Sequence, residues 1–195
     1  MIKLVQPQIT DLKYRKKLLK DKKTMDFNKI NGGTVDFNEK IWKSWYQLWM
    51  NDTKHYYAYV YDDEIKKYIG EVSYYFEEEY REYVLNIIIE YPYRHLGKGK
   101  VALELLCKQA KESGLRFLCD DIETNNPAKK HFLDLGFKEV WARENITMLK
   151  KTPLEPGLFF FTRFTHPFCI LKTIERMKSY GKEARYVSHL FNLYF

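Results

Sequence analysis

The stretch from Tyr83 to Lys111 constrains the fold more than any other part of this chain. Tyr83–Glu90 carries Ile87, Ile88 and Ile89 in succession, a continuous apolar run that suits a central strand covered on both faces. Tyr91–Lys100 is short and basic, with Gly97 and Gly99. Val101–Lys111 reads as an amphipathic helix that buries Val101, Leu103, Leu105, Leu106 and Ala110 and stops at Ser113-Gly114. Strand, glycine loop and helix in that order suit an anion. Glycine lets backbone come close, the first N–H groups of the helix point outward, and the helix dipole favours negative charge there. The spacing fits neither G-x-x-x-x-G-K-[ST] nor G-x-G-x-x-G with a downstream acid, so anion binding and a purely structural turn both stay open.

The flanking sequence supplies the other elements. Ile2–Gln6 reads as a strand ended by Pro7. Thr10 or Asp11 caps a helix running to Lys23 with Leu12, Leu18 and Leu19 inside. A second helix spans about Glu39 to Met50, and its stripe Ile41, Trp42, Trp45, Tyr46 and Trp49 is core or a groove wall. Tyr56–Tyr61 and Lys67–Phe76 form a hairpin, and the turn Glu77-Glu78-Glu79 leads into the Tyr83 strand. Phe117–Ile122 is expected parallel to that strand. A helix opened by Asn125-Asn126-Pro127 follows, with Phe132 and Leu135 inward, then a hairpin of Phe137–Arg143 and Asn145–Lys150.

Composition narrows the class. Of 195 residues, 45% are hydrophobic, which is enough to bury a core and argues against disorder. A net charge of +7 permits an anionic partner, or reflects a lysine-rich solvated surface. Cys107, Cys119 and Cys169 form no C-x-x-C pair, so free buried thiols and no metal site are expected. The first residues do not read as a signal peptide, and no apolar run is long enough to span a membrane. A cytoplasmic chain with no membrane partner is the expectation. The basic aromatic segment Phe159–Phe164 raises nucleic acid, but the cations are spread and no recognisable motif is present, so no nucleic-acid partner is expected.

In its context, Arg94-x-x-Gly97-x-Gly99 resembles the pyrophosphate loop of the GNAT superfamily of N-acetyltransferases. Asn125-x-x-Ala128, Phe132 and Leu135-Gly136-Phe137 are similar to that family's N-x-x-A…Y…L-G-F helix. The resemblance covers residues 1–151. Residues 152–195 form an aromatic and basic extension, expected to close a homodimer or cap the domain's own groove. The resemblance implies an α/β (α+β) domain: a mixed, mostly antiparallel central sheet flanked by helices, splayed at the strands ending near Glu90 and Ile122.

It also implies acetyl-CoA as donor, no metal, and direct transfer to a primary amine of a small molecule, peptide or protein. Backbone N–H groups of His95, Leu96, Gly97, Lys98, Gly99 and Lys100 would cradle the pyrophosphate, with charge added by Arg94 and Lys98. Backbone of Ile88, Ile89 and Glu90 would pair with the pantetheine amides, and Asn125 would bond near the far end of that arm. Family members often carry a tyrosine that protonates the leaving thiolate, and here the position holds Phe132. That departure motivates a second reading, a non-catalytic acyl-CoA-binding sensor or interaction module.

An aliphatic amine is protonated at neutral pH, so transfer needs a base. Glu71 is the first candidate because it interrupts an apolar strand, and Glu90 is the second. Trp45 and Asp121 are candidates for the acceptor side, beside Asp120. Each carboxylate could equally be a solvated charge.

Overall fold

The computed structural model describes residues 1–152, Glu79 apart. Cys169, the Phe159–Phe164 segment and nearly all of the expected extension lie outside the described residues. Seven strands, β1 (Ile2–Val5), β2 (His55–Asp62), β3 (Lys67–Glu77), β4 (Glu82–Ile89), β5 (Leu118–Glu123), β6 (Lys138–Arg143) and β7 (Ile146–Lys151), form one sheet in the order β1-β2-β3-β4-β5-β7-β6. Among the described residues four α-helices accompany it: α1 (Leu12–Lys20), α2 (Trp42–Asn51), α3 (Lys98–Glu112) and α4 (Lys129–Asp134). Every strand pair is antiparallel except β4–β5. Those two are parallel and joined through α3, because a parallel pair cannot be closed by a hairpin.

The period-2 alternation of the strands divides the side chains between two faces. Ala58 and Val60, Val72 and Tyr74, Leu85 and Ile89, and Leu118 and Ile122 form one core with Ala102, Leu103, Leu106, Cys107 and Ala110 of α3. The buried stripe of α3 differs from the sequence expectation. Ala102 and Cys107 are inside, whereas Val101 is exposed and Leu105 only half-buried. The steps 103–106–110 and 102–106 follow the helical period, whereas 101–103–105 would climb around the cylinder.

On the other face, Trp45 and Trp49 of α2 meet Tyr57 at 4.9 and 5.8 Å between ring centroids. Helix α1 buries Leu12, Leu18 and Leu19 as expected, but ends at Lys20. Asp21 is extended there, and its carboxylate accepts from the Thr24 N–H at 2.7 Å, so a local turn replaces the next helical bond. Helix α2 is led in by a 3₁₀ turn whose cap, Asn38, accepts from the Lys40 N–H. Cys107 and Cys119 are free and buried. Among the described residues no helix is long and apolar enough to cross a membrane.

Candidate active site

The parallel pair at the sheet centre is open. Strands β3 and β4 pair from Glu77↔Glu82 through to Gly70↔Ile89. By contrast β4 and β5 share a single register pair, Val84↔Cys119. Beyond it they part, which leaves the β5-facing edge of Ile87–Ile89 outside the ladder.

Two local features shape this opening. At its closed end the Cys119 thiol donates to Glu82 Oε2 at 2.6 Å, and Lys150 on β7 holds Glu82 Oε1 at 2.5 Å, which ties three strands together. Burial and the Glu82 carboxylate raise the Cys119 pKa well above the ordinary thiol value. On the β3 side, a Cβ on Gly70 would overlap the Ile88 carbonyl oxygen. Only glycine lets β4 twist this closely over β3. The β2–β3 register also shifts beside Val60 and Tyr61, and such bulges bend and twist strands.

At the end of β4 stands the glycine loop. Gly97 has φ +73° and caps α3, while His95 has φ +61°. The first intrahelical bond runs from the Val101 N–H to the Gly97 carbonyl, at 3.3 Å. Among the described residues, none of the N–H groups from His95 to Lys100 donates to a backbone carbonyl. They stand at the positive end of a 15-residue helix, where an anion is stabilised.

The loop's long cations are largely engaged elsewhere. Arg94 donates through Nε to the Ile89 carbonyl at 2.9 Å and through Nη2 to the Thr24 carbonyl. The Tyr91 N–H reaches Thr24 Oγ1 at 3.1 Å. Arg94 therefore braces the loop against the segment that follows α1. Lys98 lies 2.6 Å from Asp62 Oδ2, and the Glu64 N–H donates to the other oxygen. The Lys98 hydrogen bond is the main cause of a lowered Asp62 pKa. His95 and Lys100 make no ion pair among the described residues.

The two candidate bases occupy different surroundings. Glu71 is 1% exposed, paired with Arg15 through one oxygen and accepting from the Tyr57 hydroxyl at 2.5 Å through the other. Arg15 in turn lies against Trp45, Phe37 and Tyr57, 4.7 to 5.2 Å from their ring centroids. Trp45, 2% exposed, is thus core around this ion pair. Removing one member of such a pair costs about 3–5 kcal/mol, because it strands a buried charge. Glu90 is half-buried just past β4. Its N–H donates to the Ile69 carbonyl and its carbonyl accepts from the Tyr93 N–H, both at 2.9 Å. Its carboxylate makes no ion pair among the described residues. Beside it lies the buried Tyr14 hydroxyl, whose ionisation is opposed first by burial and next by the Glu90 charge. Nothing in the sequence pattern singles out Tyr14, since only the packing of α1 on the sheet brings it there.

Asn125 is exposed in the turn after β5, and because β5 runs parallel to β4 it stands past the same end of the sheet as the loop. Its neighbour Asn126 makes a local turn there, its Oδ1 accepting from the Ala128 N–H at 2.9 Å. Phe132 is buried edge-on to Phe137 at 5.1 Å. Asp121 is half-buried on β5, opposite Met148 of β7. The structure therefore gathers Ile88, Ile89, Glu90 and the loop at one mouth, and groups Glu71 with Trp45 around Arg15. Among the described residues no group of three His, Cys, Asp or Glu side chains is placed to hold a metal ion.

A sheet split between parallel strands, with N–H groups at its mouth that bond to no backbone carbonyl among the described residues, suits a phosphate-bearing ligand that can also add to the open strand edge. The chain belongs to the acetyltransferase (GNAT) family, whose sequence pattern matches residues 22–137. Solved structures agree in fold. A GNAT-family acetyltransferase from Streptococcus pneumoniae is similar with TM-score 0.65 at 17% identity, covering 78% of this chain and 99% of that one. A chimera of the spermidine N-acetyltransferase from Vibrio cholerae gives 0.62 at 15%, covering 77% and 95%. The PaiA N-acetyltransferase from Thermoplasma acidophilum, in complex with coenzyme A, gives 0.58 at 15%, covering 78% and 99%. At such identities the likeness speaks for the fold alone. No curated protein matches the sequence.

Proposed function

We propose that the chain transfers an acetyl group from acetyl-CoA directly to a primary amine of a small molecule or peptide. The observation that carries this reading is the open β4 edge adjoining the unbonded N–H groups of His95–Lys100. A pantetheine arm has amides of its own and adds to such an edge as a strand would, on the backbone of Ile88, Ile89 and Glu90. The pyrophosphate then sits on the loop N–H groups, with Lys100 as a nearby cation that makes no ion pair among the described residues, His95 beside it and Asn125 toward the acyl end.

Glu90 takes a proton from the ammonium, and the freed amine attacks the thioester carbon. The C–S bond breaks, the nitrogen gives its second proton to solvent, and the thiolate takes one from solvent, as Phe132 has none to give. Glu71 serves this site through Arg15 as a positioning group. Trp45 forms the wall behind it, and Asp121 draws the cationic amine. A base in this role contributes roughly 10²–10⁴-fold to the rate.

A second reading rests on Phe132, buried against Phe137 where a proton donor would be expected: acyl-CoA is held without turnover, as in a sensor. Calorimetric titration with acetyl-CoA tests both readings, and absence of binding at millimolar concentration rejects both. Binding without CoA release across a panel of primary amines selects the second. Gly97→Glu places a carboxylate among the loop N–H groups and is expected to abolish binding.

A further inference from the structure

The opening between β4 and β5 has a built floor. Val84 faces Cys119 in the single register pair of the two strands, and Cys119 faces Lys150 of β7. Side chains two apart on a strand share a face, so Glu82, Val84, Cys119 and Lys150 belong to one side of the sheet. There Glu82 takes the Cys119 thiol on one carboxylate oxygen at 2.6 Å and the Lys150 ammonium on the other at 2.5 Å. Lys150 is held a second time, its Nζ 3.9 Å from the centroid of the Phe117 ring. The bridge thus runs from β7 across β5 to β4. Val84 and Cys119 are both buried. On its other side β4 is paired with β3 along its whole length, so only the β5 side is free to part.

We propose that the Lys150–Glu82–Cys119 bridge fixes the depth of the opening and so sets the length of acyl group the site accepts, from acetyl to butyryl. This rests on the reading that acyl-CoA lies along the β4 edge, and on neither the base nor the acceptor. From phosphate to sulfur the pantetheine arm has roughly a dozen chain bonds, the reach of about four residues of extended backbone. An arm that starts from the loop at Glu90 therefore brings its sulfur level with Asn86. Between Asn86 and Val84 there remain two residues of strand, a rise of ~7 Å. That space takes the thioester carbonyl and a few methylenes. A longer chain ends against the paired backbone of Val84 and Cys119, and the bridge opposes its opening. Glu82, Cys119 and Lys150 touch no reacting atom and act as positioning residues.

The test is calorimetric affinity of the full chain for CoA and for acetyl-, propionyl-, butyryl- and hexanoyl-CoA, with no acceptor present. The wild type should bind hexanoyl-CoA about tenfold or more weaker than butyryl-CoA, the discrimination a closed pocket shows against methylenes it cannot seat. Glu82→Leu removes both bonds of the bridge at similar bulk. It should narrow that ratio to about threefold or less, while affinity for CoA, which has no acyl group, is unchanged. Cys119→Ala should narrow the ratio too, and Cys119→Ser, which keeps a donor to Glu82, should restore it. A wild-type ratio in Glu82→Leu, or equal ratios in the two Cys119 variants, overturns the proposal. If the variants fail to fold, the wild-type series decides: affinity that changes smoothly with chain length, with no break after butyryl, is equally fatal. Wild-type failure to bind CoA or acetyl-CoA instead removes the reading of the β4 edge on which the proposal rests.

Discussion

The Lys98 ammonium lies 2.6 Å from the Asp62 carboxylate, so the basic residue between the two loop glycines is neutralised by the end of β2. An incoming pyrophosphate meets a loop whose attraction comes mainly from oriented N–H groups. In Asp62→Asn the amide oxygen can still accept from the Glu64 N–H, while Lys98 is released. Acetyl-CoA affinity is then expected to rise roughly two- to fivefold at low salt, the range of a partly exposed ion pair. The gain should shrink at high ionic strength. Calorimetry at two salt concentrations checks this, and equal affinities in the two proteins would contradict it.

Gly70 offers a sharper intervention. A methyl group there overlaps the Ile88 carbonyl oxygen and crowds the Ile89 side chain. Since the obstacle is backbone, β4 must lift from β3 where the donor arm is proposed to lie. Gly70→Ala is expected to lower stability by about 1–3 kcal/mol, the usual range for overpacking, and to weaken acetyl-CoA binding in the same variant. Chemical denaturation and calorimetry measure the two effects. A stable variant that binds normally would show that the strand approach is not required.

Much of this arrangement was legible in the chain itself. The apolar run Ile87–Ile89, the paired glycines and the following amphipathic helix identify the central strand and its loop, because each rests on local chemistry. The parting of β4 from β5 entered only through family resemblance, since divergence has no residue code. The partners of Arg94 and Lys98 were not legible. Both are cations at motif positions, yet Thr24 and Asp62, their partners, are distant in sequence and brought near only by packing. Glu71 is similar: a carboxylate inside an apolar strand invites a catalytic reading, and only the fold reveals Arg15 beneath it.

His55 gives the fold a pH dependence of known sign. Half-buried beside Trp49 and Tyr75, its ring is held below its ordinary pKa mainly by burial, despite Asp52 at 3.1 Å. The unfolded chain therefore binds the proton more readily. The stabilising contribution is complete above the unfolded value of about 6.5 and is lost as pH falls through the lower folded value. Thermal melts at pH 7.5 and 5.5 should show a lower Tm at the acid pH. The difference should narrow in His55→Gln, and a wild-type Tm unaffected by this change would contradict the assignment.

Arg94 separates a bracing role from a charge role. Its guanidinium bridges the Ile89 and Thr24 carbonyls, which a lysine ammonium on a single stem cannot reproduce in the same planar geometry. If bracing is its contribution, Arg94→Lys should cost about 1–2 kcal/mol of stability for the lost hydrogen bonds. It should also weaken acetyl-CoA binding while leaving the salt dependence as in the wild type, because the positive charge is kept. If Arg94 instead met the phosphates directly, Arg94→Lys would retain most of the affinity, and Arg94→Met would lose both affinity and salt dependence. Measuring both variants across ionic strength therefore decides whether the first residue of the motif holds the ligand or holds the loop that does.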